Sequence, residues 1–142
     1  MRSVRRAVAA VAVCAALILG IAACGNDSSS TTTPTVPRTT DTFSGTVAVG
    51  GSAFNSFRVG ATGTTEVTLI AAGPPSSIVV GLSIGTVSDS GCTPVAGASV
   101  NTAAGSTAQL AGVTSSGTLC VQLRDIGNQT TPITYSVSVL HP

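Results

Sequence analysis

The sequence predicts an all-β chain, an antiparallel β-sandwich of jelly-roll or immunoglobulin-like type, with about seven to eight strands and one disulfide. Three observations carry this. From residue 42 onward apolar residues recur at every second position, the period of a half-buried strand. Turns rich in Gly and Pro break the alternation at strand-length intervals. No window after Cys24 has the apolar spacing of a helix.

The N-terminus comes first. Arg2, Arg5 and Arg6 precede an uncharged run from Ala7 to Ala23 dominated by Ala, Val, Leu and Ile. These are the positive and apolar regions of an export signal over residues 1–23. The run is short against the ~20 apolar residues a membrane span needs. Its end, Ile21-Ala22-Ala23-Cys24, resembles the bacterial lipobox. That resemblance implies cleavage before Cys24 and a diacylglycerol on its thiol. The membrane would then be met through an N-terminal lipid. Gly25 follows, where some two-membrane bacteria place a retention Asp, so the resemblance points to the outer membrane. Cys14 falls in the discarded leader.

Residues 24–41 read as a lipidated Cys and a flexible tether. Asn26 to Asp41 is mostly Ser and Thr with two Pro. Such a stretch cannot bury enough apolar surface to offset its ordering entropy. As a random coil it reaches roughly 20–25 Å. Arg38 is its only basic residue, so docking on anionic lipid is weak.

The sandwich itself is expected over residues 42–142. Phe43, Gly45, Val47 and Val49 alternate with small polar residues, and Gly50-Gly51 reads as a hairpin turn. Asn55, Phe57 and Val59 share one face of a second strand, with Phe54 out of phase as at a bulge or a strand start. Val67, Leu69 and Ala71 form a third alternation, ended by Gly73-Pro74-Pro75. Ile78, Val80, Leu82 and Ile84 form a fourth. Residues 87–94 read as a loop, and Ala96 to Ser106 are too small to show a pattern. Ala108 and Leu110 mark a fifth strand. Leu119, Val121 and Leu123 mark a sixth, and Ile133, Tyr135, Val137 and Val139 a seventh.

Cys92 and Cys120 are the only cysteines beyond the lipobox. In an oxidising compartment they are expected to pair. Cys120 alternates away from Leu119 and Val121, so the bridge should pin the 87–94 loop across the outer face of a strand.

Composition excludes several functions. The chain of 142 residues is 8% charged and 3% aromatic. All six basic residues are Arg, which leaves no phosphate-tracking surface for nucleic acid. From Cys24 onward three Arg against five acidic residues give a net charge of −2, which implies no strongly charged partner. There is no C-x-x-C pair and a single His, so no metal or cofactor is expected.

The folded region resembles the bacterial pre-peptidase C-terminal domain. The likeness rests on the Gly-containing first strand, on Phe57-Arg58-Val59 and on Val67-Thr68-Leu69. It rests above all on Ser116-Gly117-Thr118-Leu119-Cys120-Val121-Gln122-Leu123 and on the closing strand Tyr135-Ser136-Val137-Ser138-Val139. The resemblance implies a small secreted β-sandwich that accompanies hydrolases, some relatives binding collagen or polysaccharide, some with calcium. No catalytic domain is expected within residues 42–142. The acidic residues are scattered singly, whereas calcium needs several oxygen ligands.

Gly81-Leu82-Ser83-Ile84-Gly85 matches the G-x-S-x-G pattern, with Asp125 and His141 following in triad order. The pattern needs a strand, a sharp turn and a helix, whereas here it lies inside an alternating run. Ser83 is therefore expected to face outward on a strand, His141 to fray at the terminus, and Arg124 and Asp125 to be solvated at a strand end. Asp125-Ile126-Gly127-Asn128 reads as a turn. Phe57 and Tyr135 are assigned to the core, and Phe54 is the one aromatic whose exposure the pattern leaves open. The function expected is a lipid-anchored, non-catalytic envelope module binding a glycan or protein. The alternative is a structural or accessory subunit of an envelope assembly that docks by a sheet edge.

Overall fold

A computed structural model describes residues 35–89 and 91–142. The leader 1–23, Cys14, the lipidation candidate Cys24 and the tether up to residue 34 lie outside the described residues.

Eight strands follow one another in the described chain: β1 (Thr39–Val47), β2 (Ser52–Val59), β3 (Gly63–Gly73), β4 (Val80–Ser88), β5 (Gly91–Thr102), β6 (Leu110–Thr114), β7 (Gly117–Arg124) and β8 (Ile133–His141). They form two four-stranded sheets, ordered β1-β8-β3-β6 and β2-β7-β4-β5. Every pairing is antiparallel. Only β4 and β5 are consecutive strands in one sheet. Each other connection crosses to the opposite sheet, which is the wiring of a jelly roll.

That wiring corrects the first turn. Ala48 to Gly51 does turn, with the Gly51 N–H donating to the Ala48 carbonyl at 2.9 Å. It is not a hairpin, because β1 pairs with β8 and β2 with β7. Local Gly chemistry specifies the bend, but the destination of the next strand is decided by burial of both faces.

The inner faces follow the alternation. Val47, Phe57, Val59, Val67, Leu69, Val80, Leu82, Val121, Leu123, Ile133, Val137 and Val139 are buried between the sheets. Phe54 marks no bulge: β2 pairs with β7 in unbroken register, and Phe54 simply faces outward. β3 does change phase. A register shift between Leu69 and Ala71 turns Ala72 inward where Ala71 was expected. Tyr135 is buried, and its hydroxyl accepts a hydrogen bond from Asn55 Nδ2 at 2.8 Å. Gly45 stands opposite it in the ladder, and a Cβ there would lie 2.7 Å from that hydroxyl.

The largest correction concerns residues 87–89 and 91–102. They belong to two paired strands, β4 and β5, not to a loop and an unpatterned stretch: Val87 pairs with Cys92 and Ser83 with Ser99. Between Ser83 and Gly85 the register shifts, and β5 bulges out over Val95–Ala98. β1 also begins three residues earlier than expected, at Thr39. Arg38, expected in the tether, is tied to the fold: its guanidinium donates to Glu66 Oε1 and to the Thr64 carbonyl, both at 3.1 Å.

Candidate functional site

The residues in triad order do not meet. Ser83 lies on the outer side of β4 but is buried there, not open to solvent as expected. It pairs across the ladders with Ser99 and Gln122. His141 is not frayed. It closes β8, is 3% exposed and packs on Phe57 with ring centroids 5.2 Å apart. Its Nε2 lies 3.0 Å from Asp41 Oδ2, and its Nδ1 lies 3.1 Å from the Pro142 carbonyl oxygen. The imidazole thus fastens the last strand to the first.

Asp125 is buried, not solvated. Its Oδ2 accepts the Gly50 N–H at 2.7 Å. Its Oδ1 accepts the N–H groups of Gly127, Asn128 and Gln129 at 2.8, 3.2 and 3.3 Å. The Gly50 amide foremost, and then the other three, hold its carboxyl below the usual carboxylate range against an opposing loss of hydration. The carboxylate ties the turn after β1 to the loop after β7. The turn at Asp125-Ile126-Gly127-Asn128 was legible in sequence. Its partner 75 residues away was not.

Cys92 and Cys120 are bonded, with their Cα atoms 5.9 Å apart. The bridge joins β5 to β7 across β4, on the outer side of that sheet as the alternation of Cys120 implied. Gly85 is the residue it crosses: Cys120 pairs with Gly85 in the ladder, and Cys92 Sγ lies 3.0 Å from where a Gly85 Cβ would be. The bridge therefore pins the start of β5 against the sheet.

The main recess lies further along β5. β5 and β6 are the outermost strands of their sheets, on the same side of the sandwich. Between them opens a cleft of about 620 Å³, within the size range of ligand sites. Ile84, Ala98, Leu110 and Leu119 line it from the core side, and the β5 bulge and β6 form its walls. Thr114, Ser115, Ser116 and Thr118 supply hydroxyls. No ionisable side chain is among the described residues that line it. Val113 on β6 is 77% exposed. Such a lining can hold apolar groups and hydrogen-bond uncharged ones.

No protein-family model and no curated protein matches the chain. The reading of its function therefore stands on its own residues. Sequence reasoning found the disulfide but missed the walls of the cleft, because Val95 to Ala98 and Ala111 to Val113 carry neither period nor charge. Phe54, whose exposure the sequence left open, is 45% exposed on the opposite edge strand β2.

Proposed function

We propose that the chain is an exported, non-catalytic binding module of the bacterial cell envelope, anchored by lipid at Cys24, that docks an extended uncharged segment of another envelope protein along β6. The observation that carries it is the neutral cleft between two terminal strands. Among the described residues β6 pairs only with β3, which leaves one row of its backbone N–H and C=O groups open to a further strand. A segment added there would turn alternate side chains toward the cleft. With no charge in the lining, a charged segment would lose hydration without gaining a partner. Within the described residues β1, where the sandwich begins, is at the far edge of the same sheet from β6.

The test is photo-crosslinking of the full chain in cells. A photoreactive residue replacing Val113 should give one adduct, whose crosslinked peptide maps to an extended, charge-poor segment of an envelope protein. The same probe at Thr42, exposed on β1, should give none. No adduct at Val113, or equal labelling at both positions, would overturn the reading.

A further inference from the structure

His141 is the single histidine of the chain, and it is almost wholly buried. Both of its ring nitrogens face oxygen. Nε2 lies 3.0 Å from Asp41 Oδ2, and Nδ1 lies 3.1 Å from the Pro142 carbonyl oxygen. A carboxylate and a carbonyl only accept hydrogen bonds, so each contact needs a proton on the nitrogen. The neutral ring carries one N–H and the imidazolium carries two. Only the cation makes both contacts.

The Pro142 oxygen is shared. It also accepts the Gly60 N–H at 2.9 Å. Gly60 follows the last residue of β2, and Gly63 begins β3. Pro142 approaches that end of the turn as well, with its Cγ 2.7 Å from where a Gly63 Cβ would be. Phe57, two residues before the end of β2, packs on the imidazole. The ring therefore stands between β1, β8 and the β2–β3 turn.

We infer that His141 is a pH-sensitive latch on the β2–β3 turn, closed when the ring holds two protons and open when it holds one. Imidazole is the side chain that changes charge between about pH 5 and 8. When one proton leaves for solvent, the ring keeps the N–H that meets the Asp41 carboxylate, because a charged acceptor makes the stronger bond. Nδ1 then presents a lone pair to the Pro142 oxygen. The two repel, Pro142 moves off, and Gly60 loses its acceptor. Other charges on the surrounding strands leave Asp41 in control. Arg38 and Glu66 pair with each other at 3.1 Å, and Glu66 on β3 stands opposite Leu140, whose side alternates from that of His141. Arg58 on β2 is exposed and alternates away from Phe57. The latch is independent of the protein-docking cleft, and either can fail without the other.

The experiment follows the ¹⁵N-labelled full chain in detergent between about pH 5 and 9, across the range where imidazole titrates. The Gly60 amide resonance should move with the same midpoint as the His141 ring. Its protection from exchange, corrected for the intrinsic rate, should fall about tenfold or more from the acid to the alkaline side, as local opening requires. His141→Gln should make the Gly60 amide insensitive to pH. Asp41→Asn keeps the imidazole and carries the test should the first variant not fold. An amide can donate to Nε2, so the neutral ring is free to place its proton on Nδ1 and hold Pro142. In that variant the ring should still titrate while Gly60 no longer responds. A Gly60 amide that stays still while the ring titrates would overturn the proposal. So would a ring that does not titrate over this range, or a Gly60 response that survives in either variant.

Discussion

Thr93 crosses directly over Gly85: a Cβ on Gly85 would lie 2.7 Å from the Thr93 carbonyl carbon and 3.0 Å from Cys92 Sγ. The strand that the disulfide draws across the sheet therefore rests on the one residue type with no side chain. Gly85→Ala should destabilise the fold by about 1–3 kcal/mol through overpacking. Gly112→Ala, with open space around its Cβ position, should change stability by less than about 0.5 kcal/mol. Thermal melts of the two variants check the contrast, and equal melting temperatures would refute the crowding at Gly85.

The bridge should also matter for stability. It joins residues 28 apart in sequence, and the chain-entropy model gives about 3.5 kcal/mol for a loop of that length. Replacing Cys92 and Cys120 together by Ala should lower the urea midpoint accordingly. An unchanged midpoint would show that the loop is equally constrained without the bond.

Asp125 sets the acid limit. Its folded carboxyl ionises more readily than its unfolded one, so its contribution is complete above the ordinary carboxylate value of 3.8. The contribution is lost as the pH falls from there through the lower folded value. Asp125→Asn should be less stable than the wild type at pH 7, because an amide nitrogen would confront N–H donors. Its stability should then vary less between pH 5 and pH 2 than that of the wild type. Denaturant melts across that range measure both effects, and parallel curves for the two proteins would count against the clasp.

The core is aliphatic and thin, so single truncations should be costly. Leu82 on β4 is fully buried. Leu82→Ala should cost about 2–5 kcal/mol. Val113→Ala, on the exposed edge, should fall within about 0.5 kcal/mol of the wild type. A Leu82→Ala loss below 1 kcal/mol would mean the two sheets close the cavity by moving together.

Cys24 has its own test. The membrane-extracted protein should have the mass of a chain starting at Cys24 plus acyl lipid, and Cys24→Ser should abolish the lipid mass. An unlipidated wild-type mass would remove the anchor and with it the argument for capture at a membrane.

Much of the sandwich was legible because alternation of apolar residues reports burial directly. β1, β4, β7 and β8 follow from Phe43 to Val47, Val80 to Ile84, Leu119 to Leu123 and Ile133 to Val139. β5 was hidden because an edge strand of Ala, Gly, Ser and Thr buries little on either face, so it needs no alternation. The Gly50-Gly51 bend was readable, but which sheet receives β2 depends on β7, far along the chain. His141 was misread for the same reason. Nothing near it in sequence shows that Asp41 and Phe57 close around it. The disulfide was legible because only two cysteines remained to pair.

β1 also has a direction. It starts at Thr39 beside His141 and ends at Val47 beside Ile133, roughly 26 Å away at about 3.3 Å per residue. The Asp125 clasp, which ties the turn after β1 to the loop after β7, lies at the second pole. The two poles of the described sandwich are therefore unlike: one carries the entry of the chain into β1 and the His141–Asp41 contact, and the other carries both fixed loops.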